Sequence, residues 1–284
     1  MKKTIITVCA AAMVCGSAMA KGGNPCLEKY STPFGIPPFE QIKAEHYKPA
    51  FVKGIEEHNK EIAAIVNNKR QATFDNTIAA LDRSGQLLNK VASVFYGQNS
   101  ANTSNELQAI SREISPMMSR HSDDITMNAA LFQRVKYVYD NQSQMNLDKE
   151  QKKLLEETYK SFVRSGANLD AAKQEQLRKL NEEISMLQVA FGQNMLAETN
   201  AFRLVIDNKD DLAGLPKALV ANAAETAAEA GMDGKWVFTL HNPSVMPFLH
   251  YPESRELRER MFKGYISRGA NGNANDNRAV VKQL

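Results

Sequence analysis

Cysteine is scarce in this sequence: Cys9, Cys15 and Cys26 are the only three among 284 residues. A disulfide-rich scaffold needs more, so the chain must be held together by a hydrophobic core. No apolar run reaches the roughly 20 residues that a membrane-spanning helix requires. Glycine and proline, at 15 and 10 residues, are too few for a fibrous or low-complexity chain.

An excess of one charge is also missing. The sequence has 35 Lys and Arg against 32 Asp and Glu, a formal net charge of +3, with no long run of either sign. Because nucleic-acid-binding proteins concentrate positive charge on one face, we expect no nucleic-acid partner. The hydrophobic fraction of 43% is that of an ordinary folded protein rather than a disordered one.

The first twenty residues have the features of a secretory signal peptide. Lys2 and Lys3 precede a short apolar stretch, Ile5 to Val14, and Ala18-Met19-Ala20 supplies small residues at a cleavage site. We therefore predict that residues 1–20 are a signal peptide and that the protein is exported, to the periplasm or to the medium, without membrane attachment after cleavage. Cleavage would remove two lysines, lowering the net charge from +3 to about +1, and would leave Cys26 as the only cysteine.

Beyond this segment the sequence predicts a mainly α-helical protein. A proline-rich arm covers residues 21–41, since its four prolines each disfavour a helix. After it, apolar residues recur at helical spacing, and Pro116 is expected to kink its helix rather than end it. The predicted helices cover residues 47–66, 75–96, 107–121, 131–139, 148–164, 169–199, 215–230, 252–267 and 276–284.

Two short segments break the helical pattern. Residues 201–207 and 236–240 alternate in hydropathy or are rich in branched and aromatic residues, so they predict two strands. They could pair as a small sheet inserted among the helices.

The helix predicted over 169–199 carries a narrow apolar seam. Its members, spaced by three and four residues, are Leu177, Leu180, Ile184, Leu187 and Phe191. Such a seam is typical of two helices packed side by side. We interpret it as antiparallel packing within one domain, with an intermolecular coiled coil as the alternative.

No catalytic centre is visible in these residues. The histidines are far apart and no H-E-x-x-H motif occurs; they are His46, His58, His121, His241 and His250. The nearest approach to a metal-ligating group is Glu57, His58 and Glu61, which we interpret as a solvated helix surface. His121 completes an apolar stripe, which favours a partly buried, hydrogen-bonded histidine over a metal ligand.

Other motifs are equally uninformative. There is no G-x-S-x-G and no phosphate-binding Gly-Lys-Ser/Thr, and residues 269–277 are interpreted as an ordinary flexible loop. Cys26 has no histidine nearby in sequence and is not expected to be a nucleophile. Tyr137, Tyr139, Tyr159 and Tyr251 could line a groove, but aromatic residues at helical spacing more often belong to the core. The residues themselves therefore assign no catalytic, cofactor-binding or metal-ligating position.

Several segments, in order along the chain, resemble a known family. They are P-F…I-K-A-E-H-Y-K-P-A-F at 38–51, A-T-F-D-N-T-I at 72–78, L-F-Q-R-V-K at 131–136, F-V-R-S-G-A at 162–167, Q-N…E-T-N at 193–200, W-V-F-T-L at 236–240, R-G at 268–269 and N-D-N at 275–277. This series resembles the N-terminal region of the M3 (thimet oligopeptidase) family of zinc peptidases. Within that family it is most similar to bacterial peptidyl-dipeptidases, also called dipeptidyl carboxypeptidases, and more distantly to oligopeptidase A.

The resemblance implies a helical, two-lobed fold with a deep channel, of which residues 42–284 would form an incomplete N-terminal lobe. It also implies a monomeric enzyme that removes C-terminal dipeptides from oligopeptides, with one zinc ion held by an H-E-x-x-H motif and a later Glu. No such ligand can be assigned to a position here, so we expect this chain alone to bind no catalytic zinc and to be inactive. The sequence stops within a helical pattern, which we interpret as part of a longer peptidase. The alternative is a non-catalytic helical module that binds peptides.

Overall fold

The computed structural model describes residues 23–284 and is mainly helical, as predicted. The predicted signal peptide, with Cys9 and Cys15, lies outside the described residues. The helices are α1 (Ala44–Val66), α2 (Ala79–Asp82), α3 (Gln86–Ala101), α4 (Asn105–Thr126), α5 (Ala129–Asp140), α6 (Lys149–Arg164), α7 (Ala171–Ala201), α8 (Lys217–Glu229), α9 (Asn242–His250), α10 (Arg255–Ile266) and α11 (Arg278–Gln283). No described helix is both long and apolar enough to cross a membrane.

The predicted two-stranded sheet is present. Strand β1 (Leu204–Ile206) pairs in antiparallel register with β2 (Trp236–Phe238), and Val205 faces Val237. Their side chains pack with α8, α9 and α10 around one core, in which Phe238, Phe248 and Met261 are fully buried.

Two further cores lie in the region before α7. One joins the N-terminal segment to α1, α3 and the first half of α4, and contains the edge-to-face pair Phe51 and Phe95 with ring centroids 5.6 Å apart. The other joins the end of α1 to α5 and α6 around Phe132 and Leu155. Helices α1 and α3 approach closely at Gly54. A Cβ added to Gly54 would lie only 2.9 Å from the Cα of Leu88.

Local sequence explains where several helices begin. Asp148, Ser104 and Asp170 precede α6, α4 and α7, and each accepts a hydrogen bond from a backbone N–H in the first turn. Such caps satisfy N–H groups that have no partner within the helix.

The structure corrects two of the predicted elements. The single helix predicted over 75–96 is broken: a π-helical turn (Phe74–Ile78) leads into α2, and the chain turns at Gly85 (φ +72°) before α3. Helix α9 was not predicted at all, because Pro243 and Pro247 indicated an interruption. Pro243 lies in the first turn of α9, where proline is tolerated because its missing N–H would have no helical partner.

Cys26 is fully buried in the core formed with α1 and α3, and burial raises the pKa of its thiol. It is the only free cysteine among residues 23–284. The buried, protonated thiol has the character of a core residue rather than a nucleophile.

Candidate functional site

The structure brings only two of the five histidines together. His58 on α1 and His121 on α4 are in contact, with His121 Nε2 3.0 Å from His58 Nδ1. His46 lies in the first turn of α1, where its Nδ1 accepts from the Lys43 N–H, whereas His241 precedes α9 and His250 is the last residue of α9. Within residues 23–284, no group of three His, Cys, Asp or Glu is arranged to hold a metal ion. The described residues therefore do not fit the zinc site of the M3 family.

The two histidines belong to a chain of hydrogen bonds that joins three elements. His58 Nε2 lies 3.0 Å from the hydroxyl of Ser84, and that hydroxyl donates to the Leu81 carbonyl at 2.6 Å. Because the Ser84 proton is used in this way, the oxygen accepts from His58 Nε2–H. His58 Nδ1 then accepts from His121 Nε2–H. This network links α1, the α2–α3 turn and α4, and it requires a neutral His58, because His58 Nδ1 accepts while Nε2–H donates.

Burial is consistent with that assignment. His121 is 6% exposed and Ser84 is 9% exposed. Desolvation lowers the pKa of both imidazoles, with His58 further lowering the pKa of His121. The interpretation of His121 as a partly buried, hydrogen-bonded residue is confirmed. Since Ser84 donates to a backbone carbonyl, its hydroxyl is not set up for nucleophilic attack.

The neighbours of His58 that looked like potential metal ligands have other partners. Glu57 is partly exposed and pairs with Lys53 at 2.8 Å and Lys60 at 2.9 Å, and these hydrogen bonds lower its pKa to about 2. Glu61 instead accepts from the Gly85 N–H at 2.6 Å, at the start of α3. The solvated-surface interpretation therefore holds for Glu57 and for Glu61, which stays exposed while it accepts from Gly85, but it is wrong for His58, which is hydrogen-bonded to Ser84 and His121.

A second polar junction unites segments that are far apart in sequence. The carboxylate of Glu198, buried at the end of α7, accepts hydrogen bonds from the side-chain amides of Asn271 and Asn273. The adjacent Thr199 hydroxyl accepts from Arg268 Nη1 at 3.0 Å. The Asn273 amide is the main cause of a lowered pKa at Glu198.

Asn277 completes this junction. It is buried, its amide donates to the Phe191 carbonyl at 3.1 Å, and its side-chain oxygen accepts from Asn194 at 2.9 Å. The segments Q-N…E-T-N at 193–200, R-G at 268–269 and N-D-N at 275–277 thus meet at one place. The loop over 269–277, interpreted from sequence as ordinary and flexible, is instead tied to α7 by side-chain hydrogen bonds.

Helix α7 packs against α4 in antiparallel orientation, but not through the predicted seam. Polar contacts join the two helices: Asn181 donates to Asp123 at 2.8 Å, and Gln193 donates to the Gln108 carbonyl at 3.0 Å. The seam remains on the neighbouring face, where Leu180 is 54% exposed and Phe191 is 37% exposed. The antiparallel packing within the chain is observed, whereas the prediction that the seam mediates it is wrong.

The four tyrosines do not form a groove. Tyr139 and Tyr159 stack with ring centroids 4.0 Å apart beside the core around Phe132, as their helical spacing favoured. Tyr137 is partly exposed beside Gln71, and Tyr251 is exposed after α9.

A charged cleft of about 410 Å³ lies between α4 and α7. Its lining includes Asp123, which is only 5% exposed and whose Oδ2 has no hydrogen-bond partner. No sequence signal indicated this residue, since an Asp-Asp pair in a charged helix usually faces solvent.

The fold defines a broad class: this is a mainly helical protein with one small two-stranded antiparallel sheet among residues 23–284. No family model matches the chain. It is 38% identical over 261 residues to the dipeptidyl carboxypeptidase of Escherichia coli (strain K12), covering 92% of this chain and 38% of that protein. It is also 30% identical over 254 residues to the oligopeptidase A of Haemophilus influenzae, covering 88% of this chain and 37% of that protein.

The chain belongs to the M3 family, together with these dipeptidyl carboxypeptidases and oligopeptidases. It spans little more than a third of the length of the relatives that it matches.

Proposed function

We propose that this chain forms the N-terminal part of an exported zinc metallopeptidase that removes C-terminal dipeptides from oligopeptides. The observation that carries this proposal is the 38% identity to a protein named dipeptidyl carboxypeptidase across 92% of the chain. The oligopeptidases among the more distant relatives support oligopeptides as the substrate class.

The chain's own contribution would be to hold a peptide rather than to cleave it. Helix α7 presents a partly exposed apolar face, on which Leu180, Ile184 and Phe191 are accessible. Apolar side chains of an unfolded peptide can pack on such a face without requiring a particular sequence. The junction at Glu198 fixes the end of α7, which would keep this surface rigid.

Cleavage requires groups that these residues do not supply. The 284-residue sequence contains no H-E-x-x-H, and no metal-ligating group is present among residues 23–284. We propose that the 284-residue chain by itself releases no dipeptides.

A chimera tests the proposed function. This chain would replace the 261-residue segment to which it aligns in the Escherichia coli dipeptidyl carboxypeptidase. We expect the chimera to release C-terminal dipeptides from an oligopeptide, and a chelator to abolish the release. A chimera that folds but releases no dipeptide would contradict the proposal.

The absence of H-E-x-x-H from these residues also favours a second candidate, a non-catalytic module that binds peptides. Sequencing the gene beyond codon 284 separates the two. A continuing reading frame that encodes H-E-x-x-H supports the peptidase, and a stop codon in every independent isolate supports the module.

Export is proposed on the sequence of residues 1–20 alone. If the signal peptide is removed after Ala20, the protein recovered from the periplasm will begin at Lys21. N-terminal sequencing checks this, and an intact Met1 would contradict it.

A further inference from the structure

Most of the charged side chains that line the cleft between α4 and α7 are paired with one another. Three such pairs line it: Arg120 with Glu182 at 3.2 Å, Arg178 with Asp124 at 2.7 Å, and Lys179 with Glu175 at 3.9 Å. Each cation in the lining therefore has a carboxylate partner. These pairs leave no free positive charge for an anionic ligand.

One carboxylate in the lining has no cationic partner. Asp123 Oδ1 accepts from the Asn181 side-chain amide at 2.8 Å, and Oδ2 accepts nothing. Asp123 is 95% buried, and leaving a buried carboxylate oxygen without a donor costs free energy. Asp123 is thus the one carboxylate in the lining of the cleft that forms no ion pair.

Burial raises the pKa of Asp123, while the Asn181 amide and the nearby Arg178 oppose that shift. The like charge of Asp124 adds to the effect of burial. A ligand that supplies N–H donors and a positive charge would oppose the shift.

We propose that this cleft binds the α-ammonium group of a short peptide, with the Asp123 carboxylate as its counter-ion. The choice of a peptide rests on the proposed function. An ammonium group offers three N–H donors and no acceptor, which complements an unpaired carboxylate. The volume of about 410 Å³ lies in the range of small-molecule sites, so it accommodates the first residues of a peptide.

A metal cation is a poorer match for this cleft. Residues 23–284 offer no group of three His, Cys, Asp or Glu side chains arranged for a metal, and Asp124, Glu175 and Glu182 are already paired with cations. Because Oδ2 is shielded from solvent, binding requires a small movement of the Asp123 side chain. We therefore expect weak binding that depends on the charge of the ligand.

Nuclear magnetic resonance titration of the 284-residue chain tests this site. The probes are trialanine and N-acetyl-trialanine, which differ in the charged amino group. We expect trialanine to shift amide signals in the second half of α4 and the first half of α7, and N-acetyl-trialanine to shift none of them. Methylammonium should compete with trialanine, because it carries the same cationic group.

The variant Asp123→Asn removes the charge and keeps the size of the side chain. It should weaken trialanine binding by at least about tenfold. Asp140→Asn serves as the matched control, since Asp140 is an exposed residue of α5 that pairs with Lys136, and it should leave binding unchanged. The comparison of the two peptides needs no variant, so it remains decisive if Asp123→Asn fails to fold.

Several results would overturn the inference. Amide signals that shift equally with N-acetyl-trialanine, that shift only in other helices, or that do not shift up to the solubility limit of trialanine would contradict it. Undiminished binding of trialanine to Asp123→Asn would also contradict it. So would displacement of trialanine by Ca²⁺ but not by methylammonium. Failure here is distinguishable from failure of the proposed function. The chimera with the Escherichia coli dipeptidyl carboxypeptidase can also carry Asp123→Asn. If trialanine does not bind as expected but this chimera still releases dipeptides, the cleft proposal fails and the proposed function stands.

Discussion

At the scale of single residues, the most informative side chains are those whose partners come from distant parts of the sequence. His121 could be predicted as buried because it continues an apolar stripe on its helix. Its partner His58, and the Ser84 hydroxyl beyond it, could not be predicted, because helical spacing says nothing about which helices meet. The same applies to Asp123, because only the packing of α7 against α4 shows that its Oδ2 is buried without a hydrogen-bond partner.

The histidine network predicts a loss of stability in acid. Desolvation lowers the pKa of His58 and His121 in the folded state below the value of about 6.5 expected for an unfolded chain. Their contribution to stability is therefore complete above about pH 6.5 and is lost as the pH falls below it. Urea unfolding at several pH values should show the free energy of unfolding decreasing over this range.

The double variant His58→Gln, His121→Gln should flatten that part of the pH dependence. His250→Gln, at an exposed position at the end of α9, is the control. An unchanged pH dependence in the double variant would refute the role of the network.

Both the backbone conformation and the nearby His58 ring disfavour a side chain at position 85. The φ of Gly85 is +72°, and an added Cβ would lie 2.8 Å from His58 Cε1. We expect Gly85→Ala to destabilise the protein by more than about 1 kcal/mol. Gly97→Ala, in α3 with no atom within 4 Å of the added Cβ, should be neutral or stabilising by up to about 1 kcal/mol. Chemical denaturation measures both, and equal effects would contradict this account.

At the scale of elements, the spacing of apolar residues predicted most of the helices correctly, but it did not predict which helix faces pack together. Helices α4 to α7 lie where their apolar spacing indicates. The break at Gly85 was missed because the apolar pattern continues through it, and α9 was missed because its prolines indicated a loop. The α7 seam was misassigned because α4 and α7 meet through Asp123, Asn181 and Gln193, which carry no periodic signal.

The junction at the end of α7 gives a prediction about one loop. Glu198→Gln keeps the shape of the side chain but removes the charge that accepts from Asn271 and Asn273. Hydrogen bonds to charged groups contribute about 1.5–3 kcal/mol, so the loop over 269–277 should open more easily by about that amount. Hydrogen exchange of its amides measures the opening.

Glu229→Gln, on the exposed end of α8, is the control and should leave the exchange unchanged. Protection of the loop that survives Glu198→Gln would show that backbone contacts alone hold it.

We expect substitutions on the exposed face of α7 to change the solubility of the protein without changing its stability. Replacing Leu180 and Ile184 by Gln should reduce binding of the dye ANS and aggregation, because both are partly exposed. The same change should alter the free energy of unfolding by less than about 0.5 kcal/mol. Leu155→Ala, in a fully buried position, should instead cost about 2–5 kcal/mol. If the α7 double variant destabilised as strongly, the face would be buried in solution.

At the scale of the whole molecule, the fold class, the small sheet and the family could be predicted from sequence, and the comparisons confirm the family. What could not be predicted is how polar side chains assemble. The meeting of residues 193–200 with 268–277, and the cleft at Asp123, depend on the placement of α7 against α4 and the C-terminal loop. Both features are built from Asn, Asp, Glu and Arg, whose positions follow no simple period.

We propose that these residues form part of a peptidase and carry no catalytic centre of their own. The most direct measurement is mass spectrometry of an oligopeptide incubated with the purified 284-residue chain and added Zn²⁺. We predict that the peptide remains intact, because the chain contains no H-E-x-x-H and no metal-ligating group is found in residues 23–284. Release of C-terminal dipeptides that a chelator abolishes would contradict the claim.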